Sequence, residues 1–193
     1  MPPMELAYLD VGPTPTFPAD MDEETFWKLI SQFDWDRTGD DGAVLEPAIR
    51  LIATMAVEDI FKFEDILAKK LHALDTRKHC KACYAGELDP DNGDDYISAD
   101  DFLYRRCVVV ANGRGLFSTV LADPRKMPKN LEFEALLSLV PKAYERKTGQ
   151  SFEYVSSVSY ESFRNTDGWK PTQATRPGKY TGDNMPLGNR RPT

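Results

Sequence analysis

The residues best suited to chemistry lie close together in the chain: His72, then His79-Cys80-Lys81-Ala82-Cys83, then Cys107. A Cys-x-x-Cys spacing lets two thiolates take adjacent corners of a zinc tetrahedron. The second half of such a site is missing. Cys107 stands alone in an apolar segment, and His79 is too near Cys80 for both to bind one ion without strain. A Cys/His nucleophilic pair is conceivable, but nothing in the sequence orients one, and no βαβ pattern surrounds the Cys-x-x-Cys as in a redox motif. There is no Gly-x-Ser-x-Gly elbow and no phosphate-cradling glycine loop. His79, Cys80, Cys83 and Cys107 are therefore read as reduced, partly buried side chains, with a zinc site as the alternative. No catalytic residue and no cofactor is assigned.

Carboxylates are the other chemistry-bearing group. Asp34-Trp35-Asp36-Arg37-Thr38-Gly39 has ligand types at positions one, three and five of a calcium loop and Gly at six, but its twelfth position is Leu45. The run from Asp89 lacks the sixth-position Gly and ends on Asp100 instead of a bidentate Glu. Neither loop is read as a calcium site. Asp34, Asp36, Asp40, Asp41, Glu87, Asp89, Asp91, Asp94 and Asp95 are taken together as an acidic face for a partner.

The elements that position these residues are mostly helical. Glu23 and Glu24 suit a first turn, and Phe26, Leu29, Ile30 and Phe33 follow the i, i+3, i+4, i+7 rule. Gly39 and Gly42 are expected to end that helix, and Pro47 to open the next. Ile60, Phe63, Leu67, Leu71 and Leu74 mark a long core helix. Ser98 is placed to cap a helix running from Phe102 to Leu121, with a break near Asn112-Gly113. In that helix Arg105 and Arg106 sit among apolar residues and need partners, for which Glu64 and Asp65 are the candidates. Phe133, Leu136, Leu137, Val140 and Tyr144 predict one more helix, kinked at Pro141 and stopped by Gly149. Phe152 to Val158 alternates like a short strand or an extended packing segment. The fold class is all-α, a predominantly helical single domain with at most one short strand or hairpin.

Composition agrees with one domain: 193 residues, 41% hydrophobic and 11% aromatic. Residues 1–20 hold five of the fourteen prolines and residues 170–193 hold four more, so both read as extended arms around a domain spanning 21–169. The C-terminal arm carries Lys170, Arg176, Lys179, Arg190 and Arg191 against Asp183, a net +4, which leaves −11 on the remainder of a chain whose total is −7. That balance excludes general nucleic-acid binding, which needs clustered cations. No apolar run approaches the roughly 18 residues of a membrane span. The start, Met1-Pro2-Pro3-Met4-Glu5, has no secretory pattern, and three cysteines make no disulfide framework, so a cytoplasmic protein is expected.

Several short motifs recur in a familiar order: Phe26-Trp27-Lys28-Leu29-Ile30, Val57-Glu58-Asp59-Ile60, Phe63-Glu64-Asp65-Ile66-Leu67, Phe102-Leu103-Tyr104-Arg105-Arg106, Ala111-Asn112-Gly113-Arg114, Val120-Leu121-Ala122-Asp123-Pro124 and Ala143-Tyr144-Glu145-Arg146. Together they resemble the bacterial family called domain of unknown function 4240. The resemblance implies a bacterial helical domain and carries over no catalytic residue. With an acidic body and no catalytic grouping, the expectation is a binding protein with a protein partner, an immunity protein that neutralises an antibacterial toxin. A zinc or thiol enzyme or sensor centred on His79, Cys80, Cys83 and Cys107 is the alternative, and an adaptor that binds through its arms is a third possibility.

Overall fold

Several helix starts in this chain are set by short polar side chains. The computed structural model describes residues 21–89, 91, 93 and 95–170. Among these residues the helices run α1 Glu23–Ile30, α2 Asp41–Thr54, α3 Val57–Leu74, α4 Arg77–Cys83, α5 Ala99–Ala111, α6 Gly113–Ala122, α7 Leu139–Thr148 and α8 Thr166–Trp169, with 3-10 turns at Trp35–Arg37, Pro124–Lys126 and Glu134–Ser138. Asp22 accepts the Thr25 N–H at 2.7 Å, Asp40 that of Ala43 at 3.0 Å, and Ser98 that of Asp101 at 2.9 Å. Each cap satisfies a donor that a helix start leaves unpaired. The class is the helical one expected, and both arms lie outside the described residues apart from Lys170. No described helix is long and apolar enough to cross a membrane.

The centre of the fold is α5. Phe102, Leu103, Cys107 and the run Val108 to Ala111 are all buried, with Arg105 and Arg106 among them. Burial on every side overrides the strand preference of three consecutive valines. α3 packs along α5 and α7, and α2 lies along α7. The expected break falls between α5 and α6, where Asn112 separates them and Gly113 adopts φ 88°.

Four local expectations are corrected. Phe33 is buried but lies past the end of α1, which stops at Ile30. Gly42 lies inside α2 and does not end α1, while Pro47 sits well inside α2 instead of opening it. Pro47 removes one backbone donor there, and the burial of Val44, Leu45, Ala48, Ile49 and Ile52 offsets that loss. Pro141 falls in the first turn of α7, where its missing N–H would have had no partner in any case, so it has no ladder to kink. Gly149 stops α7 as expected, at φ 70°.

Residues 152–158 form no strand. Their alternation is real, with Phe152 and Tyr154 half-buried between exposed neighbours, but among the described residues no second strand lies beside them. The rings pack on α3 and α7 instead: Tyr154 stacks on Phe61 with centroids 4.4 Å apart, and Phe152 meets Tyr144 at 5.3 Å. Asp65 replaces the ladder, accepting the Ser157 N–H at 2.7 Å and the Tyr154 hydroxyl at 3.2 Å.

Beyond this segment the chain is clamped to the core by two buried charges. Asp75 accepts the N–H groups of Phe163, Arg164 and Asn165 at 2.9, 2.7 and 2.8 Å and the Trp169 indole N–H at 3.0 Å. Arg106 donates to the carbonyls of Leu71 and Tyr160, both at 2.9 Å, and to the Ser162 hydroxyl at 2.8 Å. Phe163 is held at φ 68°, a conformation a bulky side chain resists. Its ring lies 4.8 Å from Trp169, edge to face. α8 leaves no room for a side chain at Gly168, where a methyl group would come within 2.7 Å of the Asp75 carbonyl oxygen and 2.8 Å of Thr76 Cγ2. Gly168→Ala is therefore expected to lower unfolding stability by about 1–3 kcal/mol, read as a lower urea midpoint with faster proteolysis after residue 158. A variant with the native midpoint would mean that α8 contributes nothing to the fold.

Candidate functional site

The His79 imidazole and the three thiols singled out by the sequence are buried. The short helix α4, which the periodicity did not reveal, is capped by Thr76 and turns His79, Cys80 and Cys83 inward. His79 has both ring nitrogens engaged: Nε2 faces the Val120 carbonyl at 3.2 Å and Nδ1 faces the Thr76 hydroxyl at 2.7 Å. Donation from Nε2 to the carbonyl leaves Nδ1 to accept from Thr76. Burial pulls the His79 pKa below its ordinary value, which favours the neutral ring. Burial also pushes the thiols up, Cys83 to about 11, Cys107 to about 12 and Cys80 further still. A thiol is a nucleophile or metal ligand only as thiolate. Cys83 instead donates to the Cys80 carbonyl at 3.2 Å. Among the described residues, no three or more His, Cys, Asp or Glu side chains are grouped to hold a metal ion.

The arginines of α5 find partners other than those expected. Arg105 is paired with Glu87 and donates to the Cys83 carbonyl at 2.6 Å, and Arg106 takes the carbonyl and hydroxyl acceptors described above. Asp65 is engaged by residues 154–157, and Glu64 pairs with neither arginine. Helical spacing located the side chains that needed acceptors, but the acceptors come from other segments, the ends of α3 and α4, Glu87 and the chain after α7.

The acidic face divides into residues that serve the fold and residues left for solvent. Glu87 belongs to the first group. Burial works against its charge, yet Arg105 and the Ala85 N–H hold its carboxyl below the usual range. Asp40 caps α2, Asp89 accepts the Asp91 N–H at 2.8 Å, and Asp34 lies 3.9 Å from Arg37. Asp95 accepts the Tyr84 hydroxyl at 2.9 Å. Asp36, Asp41 and Asp91 are exposed, while Asp94 lies outside the described residues.

Aromatic residues that the acidic pattern alone did not reveal join the two loops. Trp35, flanked by Asp34 and Asp36, is 40% exposed. Its ring rests against Phe133 at 5.3 Å and edge-on to Phe33 at 6.0 Å. The Phe133 N–H donates to the Tyr104 carbonyl at 3.3 Å, and the Tyr104 hydroxyl donates to Glu134 at 3.0 Å. That bond pushes the Tyr104 phenol up to about 12. Asp100 lies one turn before Tyr104 on α5, so the same helix face links back to the second acidic loop. The result is a band of carboxylates and rings running from Asp36 through Trp35, Phe133 and Tyr104 to Asp100. The one available signal was Asp-Trp-Asp, a large ring in a polar loop outside any apolar period.

Two measurements test the buried groups. A thiol reagent such as dithionitrobenzoate is expected to modify none of the three cysteines in the native protein within an hour and all three in guanidinium. Rapid native labelling of Cys80 or Cys83 would restore them as functional candidates. Glu64 is 7% exposed on the core side of α3, and burial, with Asp65 alongside, raises its pKa from 4.5 to about 7. The folded state thus holds this proton more tightly than the unfolded chain, so the contribution is full below pH 4.5 and lost as pH rises to about 7, by about 3 kcal/mol. His79 acts in the opposite sense, removing stability as pH falls through its unfolded value near 6.5. The comparison that isolates Glu64 is urea unfolding of the native protein and Glu64→Gln at pH 5 and pH 8. The variant should gain relative to the native protein at pH 8 and lose that advantage at pH 5; an equal difference at both would assign the carboxyl no buried charge.

No curated protein and no solved structure matches this chain. One family model matches residues 21–146, from the residue before the α1 cap into α7. Asp75 and Arg106 lie within that span, and the segment they hold lies beyond it. With most of its length matched in this way, the chain belongs to the family described as Protein of unknown function (DUF4240).

Proposed function

We propose that this chain is a non-catalytic binding protein of the bacterial cytoplasm that neutralises an antibacterial toxin, as an immunity protein, by covering a basic surface of that toxin. One observation carries the reading: the exposed carboxylates Asp36 and Asp100 stand at the two ends of a run of rings, Trp35, Phe133 and Tyr104, while the thiols and the His79 imidazole are buried. Acidic loops of this kind steer a basic partner during encounter, raising association rates by about 10- to 1000-fold at low salt. The rings supply contact area once the partner has arrived, since interface centres favour Trp and Tyr.

Growth rescue tests this directly. Products of the genes flanking this one are expressed singly in a laboratory bacterium, and any that arrests growth is then expressed together with this chain. Restored growth and a co-purifying complex are the expected result. An arrest that this chain does not relieve, or the lack of any arresting neighbour, rejects toxin neutralisation. For a complex in hand, Asp36→Lys combined with Asp100→Lys is expected to slow association at least about tenfold at low salt and to flatten its salt dependence. An association rate indifferent to these reversals rejects the acidic band as the contact.

A further inference from the structure

We infer that the Trp35–Phe133 platform is an arginine-reading surface, at which a basic protein segment lays a guanidinium group on the Trp35 ring inside a rim of carboxylates. This rests on the binding reading above and names what that surface grips.

The platform is rigid before anything binds. Trp35 opens a 3-10 turn whose Asp34 N–H donates to the Val44 carbonyl at 2.9 Å, while the Trp35 carbonyl accepts the Thr38 hydroxyl at 2.6 Å. The ring packs in a triangle with Phe33 and Phe133, which themselves lie 6.3 Å apart. An indole fixed in this way loses little freedom when a partner covers it. It nevertheless stays 40% exposed, and Leu131, two residues before Phe133, is 61% exposed. An exposed ring rimmed by charged residues is the form that a contact surface takes.

Charge decides the kind of partner. Asp34, Asp36, Asp40 and Asp41 precede and follow the Trp35 turn, Glu132 and Glu134 flank Phe133, and Arg37 is the one cation among these positions. An acidic or neutral segment would bring no compensation for crowding these carboxylates. Among cations, arginine fits better than lysine. Its planar guanidinium stacks on an indole face, is more weakly hydrated than an ammonium group, and presents several donors to the surrounding carboxylates at the same time. The chain itself shows both cations against rings, with Arg106 4.7 Å from the Phe102 centroid and Lys70 5.7 Å from that of Trp27. Neither occupies the Trp35 face.

The test uses two peptides of equal length and charge, nona-arginine and nona-lysine, titrated into the full chain at low salt. Calorimetry measures affinity, and the indole N–H resonances of Trp27, Trp35 and Trp169 locate the contact. Nona-arginine should bind about two- to fivefold tighter than nona-lysine, with the largest shift at Trp35. Trp35→Leu, which keeps apolar bulk without the aromatic face, should abolish that preference and leave nona-lysine affinity unchanged. Asp36→Asn with Asp41→Asn should weaken both peptides alike. Equal affinities for the native protein, a preference that survives Trp35→Leu, or shifts confined to Trp27 or Trp169 would overturn the assignment. Binding that emerges only after Arg176, Arg190 and Arg191 are replaced by Ala would overturn it too, giving the platform to the chain's own basic arm. Growth rescue can fail while the arginine preference holds, which rejects the toxin and keeps the platform; rescue without the preference does the reverse.

Discussion

A guanidinium buried at the centre of a helical core is the constraint from which much of this fold follows. Arg106 is fully buried beside Phe102, and burial pulls its pKa down while Asp75 is the strongest influence restoring it. A charge in that position is costly unless its donors are satisfied. The helix that carries Arg106 cannot satisfy it alone, because the available carbonyls of α5 lie along its axis. Its Nε reaches the Phe102 carbonyl of α5 at 3.4 Å, and the other acceptors are the end of α3, at Leu71, and the returning chain at Tyr160 and Ser162. Asp75, immediately after α3, is the complement: a buried carboxylate that collects four donors from the same returning segment. Each charge makes the segment necessary to the other, so the stretch after α7 is an integral layer of the domain even though it carries only the short helix α8.

The same arrangement orients the outer face. With Arg106 turned inward, the adjacent Arg105 reaches the Cys83 carbonyl and Glu87, which ties the second acidic loop to α5. Tyr104, one residue earlier, then lies at the surface, where its carbonyl holds Phe133 and its hydroxyl holds Glu134. Three consecutive residues on one helix thus direct a loop, a buried network and an aromatic platform to their places.

Much of this was legible in the sequence, and the unreadable parts share a cause. Ile60, Phe63, Leu67, Leu71 and Leu74 reported α3 because its apolar face is continuous, and Ser98 reported the start of α5 because capping is local. Asn112-Gly113 reported the break for the same reason. Pro47 misled because a local rule for proline gave way to the burial of the helix around it. The Phe152–Val158 alternation left a strand and an extended packing segment both open, and the structure has the second, because period two shows only that alternate side chains are covered, whether or not a neighbouring strand supplies hydrogen bonds. The partners of Arg105 and Arg106 were invisible because they are backbone carbonyls, a hydroxyl and Glu87, which no periodicity marks. The acidic face could be named residue by residue, yet composition could not separate Glu87, drawn into the fold, from Asp36, left outside it. Nor could it bring Phe133 to Trp35 across almost a hundred residues.

That sorting of charge bears on whether such a domain would act by chemistry or by contact. Catalysis needs a perturbed titratable group that a substrate can touch. Here the three thiols and Glu64 lie in the core against apolar side chains, and the strongly shifted group at the surface is the Tyr104 phenol, raised first by its bond to Glu134. Many of the outer cations are matched to nearby carboxylates, with Arg114 on Glu24, Arg146 on Glu46 and Arg125 on Asp123. The carboxylates around Trp35 are far less neutralised, with Arg37 the neighbouring cation. A surface that leaves its negative charge uncompensated raises its own electrostatic energy. Placing that charge around a rigid, half-open indole gives the repulsion a use, because a cation arriving there relieves the carboxylates and covers the ring in one step.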